Sequence, residues 1–152
     1  MKLATIVALT ACLAIAACNL PVADKASDGV ARTFFDEVRT GADLSRDTHV
    51  DPSLQTPITG EGLARIRSLL PPGAPTKVNN TGFNYNTDTA TGSTARLSHQ
   101  YVWGARNVTI QTFLRKPPGA TIWFVVGVEA DFGGTQPAVI VGAEPNVGSS
   151  SD

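Results

Sequence analysis

Apolar residues follow three different rhythms along this chain. From Leu3 to Ala17 they form an uncharged run of about fifteen residues behind Met1-Lys2. Val30, Ala31, Phe34, Phe35 and Val38 then recur at three-four spacing, which predicts an amphipathic helix. Ser27 is its expected N-cap, Asp28 lies in its first turn, Arg39 in its last, and Gly41 follows as the residue that can turn left-handed. Leu63, Ile66, Leu69 and Leu70 predict a second helix after Thr59, stopped by Pro71-Pro72-Gly73, and the polar stretch Asp43 to Pro57 between the helices reads as a helical turn and loop. After Pro75 the period becomes two. A weak strand is expected over Thr76 to Tyr85, a hairpin loop over Asn86 to Ser93, and long strands over Thr94 to Trp103, Val108 to Lys116 and Thr121 to Phe132.

Connections as short as Gly104-Ala105 and Pro117-Pro118-Gly119 cannot hold crossover helices, so these strands must be antiparallel. The expected fold class is α+β: a single domain with N-terminal helices packed on one face of an antiparallel sheet of about four strands. Alternation assigns Leu97, His99, Tyr101 and Trp103 to the face that meets the helices, with Val108, Ile110 and Leu114 beside them, and Ile122, Phe124, Val126 and Val128 next. Glu129 and Asp131 fall on the opposite, solvated face. Residues 133–152 have the composition of a flexible tail, except Ala138 to Val141, which read as a short edge strand or a docking segment.

At 152 residues with 42% hydrophobic and 16% charged positions, the chain has room for one small domain. Its net charge of -1 is spread rather than blocked, which argues against a nucleic-acid surface. Both cysteines, Cys12 and Cys18, precede the domain, so a disulfide in the core and a cysteine zinc site are excluded.

Those cysteines change the reading of the N-terminus. A lone cation followed by a short apolar run is the layout of a secretory signal, too short for a comfortable membrane span. Its last residues, Ile15-Ala16-Ala17-Cys18, resemble the lipobox of bacterial lipoproteins. The resemblance implies cleavage after Ala17, a diacylglyceryl thioether on Cys18, and a domain held by the lipid bilayer. Asn19 following Cys18 implies the outer membrane, facing the periplasm, with the inner membrane as the alternative. The chain then divides into a signal peptide at 1–17, a lipidated tether at 18–26, a domain at 27–132 and a tail at 133–152.

The helix-first order resembles the nuclear-transport-factor-2-like superfamily, on Phe34-Phe35-Asp36-Glu37-Val38 in the first helix and the closing hairpin from Val102 through Trp123 to Val128. That resemblance implies a cone, in which a curved sheet wraps the long helix, and its members include both enzymes and inert binding modules.

Motifs that carry chemistry are sparse. Gly133-Gly134 lacks the following Lys-Ser/Thr of a phosphate loop, and the two histidines have no metal-ligand spacing, so no metal and no cofactor is expected. His99 is the one histidine on an apolar strand face. It is the candidate general acid or base, with Tyr101 and Trp103 as pocket candidates beside it, against the plainer reading of a core histidine satisfied by backbone. Glu129 and Asp131 are its obvious acidic partners, but a bulge near Gly127 would be needed to bring them round. His49, between Asp47 and Asp51, reads as a surface residue. The resulting expectation is a non-catalytic envelope module that binds an envelope protein or a small apolar ligand, with a small cavity enzyme using His99 as the alternative.

Overall fold

The computed structural model describes residues 24–142. The expected signal peptide, Cys18 and the end of the tail, 143–152, lie outside the described residues. Helix α1 spans Lys25–Thr40, two short 3-10 turns follow at Leu44–Arg46 and Pro52–Leu54, and helix α2 spans Pro57–Leu69. Five strands complete the fold: β1 (Lys77–Asp88), β2 (Gly92–Trp103), β3 (Arg106–Lys116), β4 (Phe124–Asp131) and β5 (Val139–Gly142). They form one open sheet in the order β1-β2-β3-β4-β5, every neighbouring pair antiparallel. The α+β class is as expected, with five strands rather than about four. The additional strand is formed by the run Ala138 to Val141, whose sequence leaves an edge strand and a docking segment both open; it is the edge strand. It carries the domain past Phe132, because Val139 and Val141 are buried and Gly142 pairs with Gly127.

The N-cap of α1 is Asp24, not Ser27. The Asp24 carboxylate accepts from the Ala26 amide at 3.3 Å and from the Trp123 indole at 3.1 Å, while the Ser27 hydroxyl donates back to the Asp24 carbonyl. A tertiary partner thus starts the helix earlier than its apolar periodicity does. Gly41 ends α1 at φ 75°, donating to the carbonyls of the last turn. Thr56 and Thr59 cap α2 reciprocally ahead of Pro57, three residues before the expected start, and Leu70 turns extended because Pro71 follows it.

The core lies between the helices and one sheet face. Phe34, Phe35 and Val38 of α1 and Leu63 and Ile66 of α2 meet Leu97, Val108, Ile110 and Leu114 as expected. The row in β4 differs from expectation. Phe113 pairs with Gly127 but Leu114 pairs with Val125, so Val126 is an extra, bulged residue. The bulge reverses alternation on its N-terminal side, and the core row is Trp123, Val125, Val128 and Ala130 instead of Ile122, Phe124, Val126 and Val128. Glu129 and Asp131, beyond the bulge, stay on the outer face, where Glu129 meets Gln111. That face is not uniformly polar: Phe113 is buried there, beneath the Arg96 guanidinium at 5.1 Å. A second bulge in β1, at Thr81, sets Asn80 opposite His99.

Candidate functional site

His99 sits at the middle of β2 on the helix-facing side and is 1% exposed. Its Nε2 lies 2.7 Å from Asp28 Oδ1. Because a carboxylate only accepts, the bond requires the Nε2–H tautomer, which leaves Nδ1 as a bare acceptor. Nδ1 is buried and has no hydrogen-bond partner; the same holds for the Tyr101 hydroxyl and Thr112 Oγ1. Asp28 is the organising group: its other oxygen receives Arg32 Nε at 2.8 Å, one helical turn on, and Asn80 of β1 reaches the His99-bound oxygen at 3.4 Å.

The electrostatics follow from burial. Burial lowers the His99 pKa below its usual 6.5, and the Asp28 bond only partly offsets this, so the imidazole is neutral at pH 7. Burial works against ionised Asp28 as well, but the His99 bond, then Arg32, outweigh it and hold Asp28 below 3.8. Burial pushes the Tyr101 phenol well above its ordinary value, so it does not ionise near neutrality. Tyr101 packs on Phe35 with ring centroids 4.2 Å apart, and 6.2 Å from both His99 and Trp103. Trp103 is half-buried and donates from its indole to the Gly73 carbonyl at 3.2 Å.

The three candidates on β2 therefore do share one face, and His99 does have a carboxylate. The carboxylate is Asp28, 71 residues away, rather than Glu129 or Asp131. The sequence holds a partial signal for it in the Asp28–Arg32 pair at helical i,i+4 spacing, but not its meeting with β2. His49 is half-buried rather than superficial: its Nδ1 meets the Trp123 carbonyl at 3.0 Å, and the backbone beside it forms a parallel bridge from Val50 to Val125.

Open space lies elsewhere. A cleft of about 250 Å³ separates the end of α1, the first 3-10 turn and α2, floored by Val38, Leu54 and Leu63 and rimmed by Asp43, Gln55 and Arg67. None of His99, Tyr101 and Trp103 lines it. Among the described residues no cluster of three His, Cys, Asp or Glu side chains suited to a metal occurs, and no helix is long and apolar enough to cross a membrane. Comparison with protein-family models, with curated proteins and with solved structures returned no match for the chain.

Proposed function

We propose that this protein is a lipid-anchored envelope lipoprotein whose domain acts as a non-catalytic binding module, tied through Cys18 to the outer membrane on its periplasmic side and engaging a small apolar ligand or an envelope protein at the cleft beside α2. The observation that carries the binding reading is the enclosure of His99: this candidate acid-base group is 1% exposed and bonded to Asp28, while an accessible cleft lies away from it. An apolar floor with a few polar rim groups suits a contact that orients a ligand without transforming it. The nuclear-transport-factor-2-like cone belongs to the same proposal, supported by the helix-first order and by α1 lying against β2 and β4.

The anchor is tested by mass spectrometry of the mature protein, expected to show diacylglyceryl Cys18, and by Cys18→Ser, expected to leave the membrane fraction. The cleft is tested by a photo-cross-linking residue at Ser45 in membranes. A discrete adduct should form and should disappear in Ala64→Trp, which fills the cleft. An adduct that survives the filling refutes the site.

One observation favours the alternative. The 2.7 Å Asp28–His99 bond is the orientation a catalytic imidazole needs, so a small cavity enzyme using His99 is the second reading. Turnover of a substrate that is lost in a folded His99→Gln variant would establish it over the binding module.

A further inference from the structure

The start of α1 is joined to one end of the sheet by a compact aromatic cluster. The Trp123 indole donates to Asp24 at 3.1 Å, Tyr85 packs edge-on against Trp123 at 5.8 Å, and Lys116 Nζ lies 5.1 Å over the Trp123 ring. Tyr85 is 45% exposed and Ile122, next to Trp123 in the chain, is 37% exposed. These are two of the three large apolar side chains exposed among the described residues; the third, Ile140 at 63%, is on β5 at the outer face.

Chain length places this cluster. Five residues, Asn19 to Ala23, separate Cys18 from Asp24. Fully extended they span at most about 20 Å. If Cys18 carries lipid, the Asp24 end of the domain cannot leave the neighbourhood of the headgroups. The far end can: the 12 residues of β2 run from Gly92 beside the cluster to Trp103, about 36 Å away at ~3.3 Å per residue.

We infer that this end of the domain is a membrane-contact face, with Tyr85 and Ile122 entering the bilayer's interfacial region and the sheet standing away from the membrane. The inference rests on the lipid-anchor reading. A phenol with an aliphatic neighbour is the composition that partitions at headgroup depth, one part apolar and one part wet. Such a small patch would not bind a membrane from solution, but the tether raises its effective concentration at the surface, so a weak contact suffices to orient the domain. The charges at this end, Lys25 and Lys116 against Asp24 and Asp88, cancel, so the contact does not select anionic lipid.

The test uses the full lipidated protein in phosphatidylcholine vesicles. A cysteine introduced in the domain is the only free thiol of the mature chain, so Ile122→Cys and, at the opposite tip, Ala105→Cys each accept one environment-sensitive fluorophore. Lipids spin-labelled near the headgroup should quench the label at 122 several-fold more than the label at 105, with no change when phosphatidylglycerol is added, and Tyr85→Ser should shrink that difference. Equal quenching at the two sites, with Cys18 shown by mass spectrometry to be diacylated, overturns this inference alone. An unmodified Cys18 overturns the anchor reading and this inference with it.

Discussion

His99 Nε2 lies 2.7 Å from Asp28 Oδ1, joining the middle of β2 to the first turn of α1: the buried imidazole N–H has this carboxylate as its acceptor, and the carboxylate also receives Arg32 and Asn80. The burial of the imidazole makes the fold sensitive to acid, and the Asp28 bond only partly offsets it. Folding favours the neutral imidazole, so the unfolded chain takes up a proton first as pH falls, and stability present above about 6.5 declines as pH drops through that value toward the folded one. Asp28, held below 3.8, adds a loss in the same direction at still lower pH. Glu37 acts in the opposite direction over this range, so the test is the difference between proteins: from pH 7 to pH 5 the urea midpoint of the wild type should drop relative to that of His99→Gln, and parallel profiles would refute the His99 contribution.

Asp28→Ala should cost about 1–3 kcal/mol at pH 7, because it leaves a buried imidazole N–H unpaired. Arg32→Ala, removing only the half-exposed partner of the same carboxylate, should cost less than about 1 kcal/mol. Equal losses in equilibrium unfolding would show that the carboxylate's value comes from Arg32 and not from His99.

Glu37 behaves oppositely. Burial first, then the neighbouring carboxylates of Asp47 and Asp36, push its pKa up to about 7, against a smaller opposing pull from His49. Its folded state favours the protonated acid, so this contribution is complete below about 4.5 and is lost as pH rises through about 7. Glu37→Gln keeps the neutral form. It should raise stability at pH 8 by roughly 1 kcal/mol after allowance for solvent screening, with no gain at pH 4.

Asp24 carries two duties, the cap of α1 and the acceptor for the Trp123 indole. Asp24→Ala should lower stability by about 1–2 kcal/mol, measured by thermal unfolding, while Asp24→Asn, which keeps one acceptor oxygen where the two bonds use both carboxylate oxygens, should recover only part of it.

Gly142 closes β5 at φ 84°, and a Cβ there would meet the Val126 carbonyl and sit 2.5 Å from Leu54 Cδ2. Gly142→Ala should cost about 1–3 kcal/mol through strain and overpacking. An unchanged urea midpoint would show that β5 does not contribute to the stability of the domain.

Much of the architecture was legible in the sequence because it depends on periodicity. Phe34, Phe35 and Val38 face the core since a helix repeats every 3.6 residues, and Leu97, His99 and Tyr101 share a face since a strand repeats every two. The short edge strand near Ala138 to Val141 was readable from its apolar run. What escaped was set by contacts distant in the chain. Val126 is bulged only because Leu114 pairs with Val125, so alternation alone assigned Ile122 and Phe124 to a face that Trp123 and Val125 occupy. Asp24 replaces Ser27 as the cap because Trp123 reaches it.

By itself the sequence determined the α+β class, the helix-first order and the core rows of the helices, β2 and β3, because local backbone sterics and the burial of apolar residues act on neighbours in the chain. Only the tertiary structure decided that His99 pairs with Asp28, that its site is enclosed while the cleft opens beside α2, and that Tyr85, Ile122 and the start of α1 share one end. Each of these is a meeting of residues from separate elements. Their distances are set by helix placement and strand register, which no local pattern records.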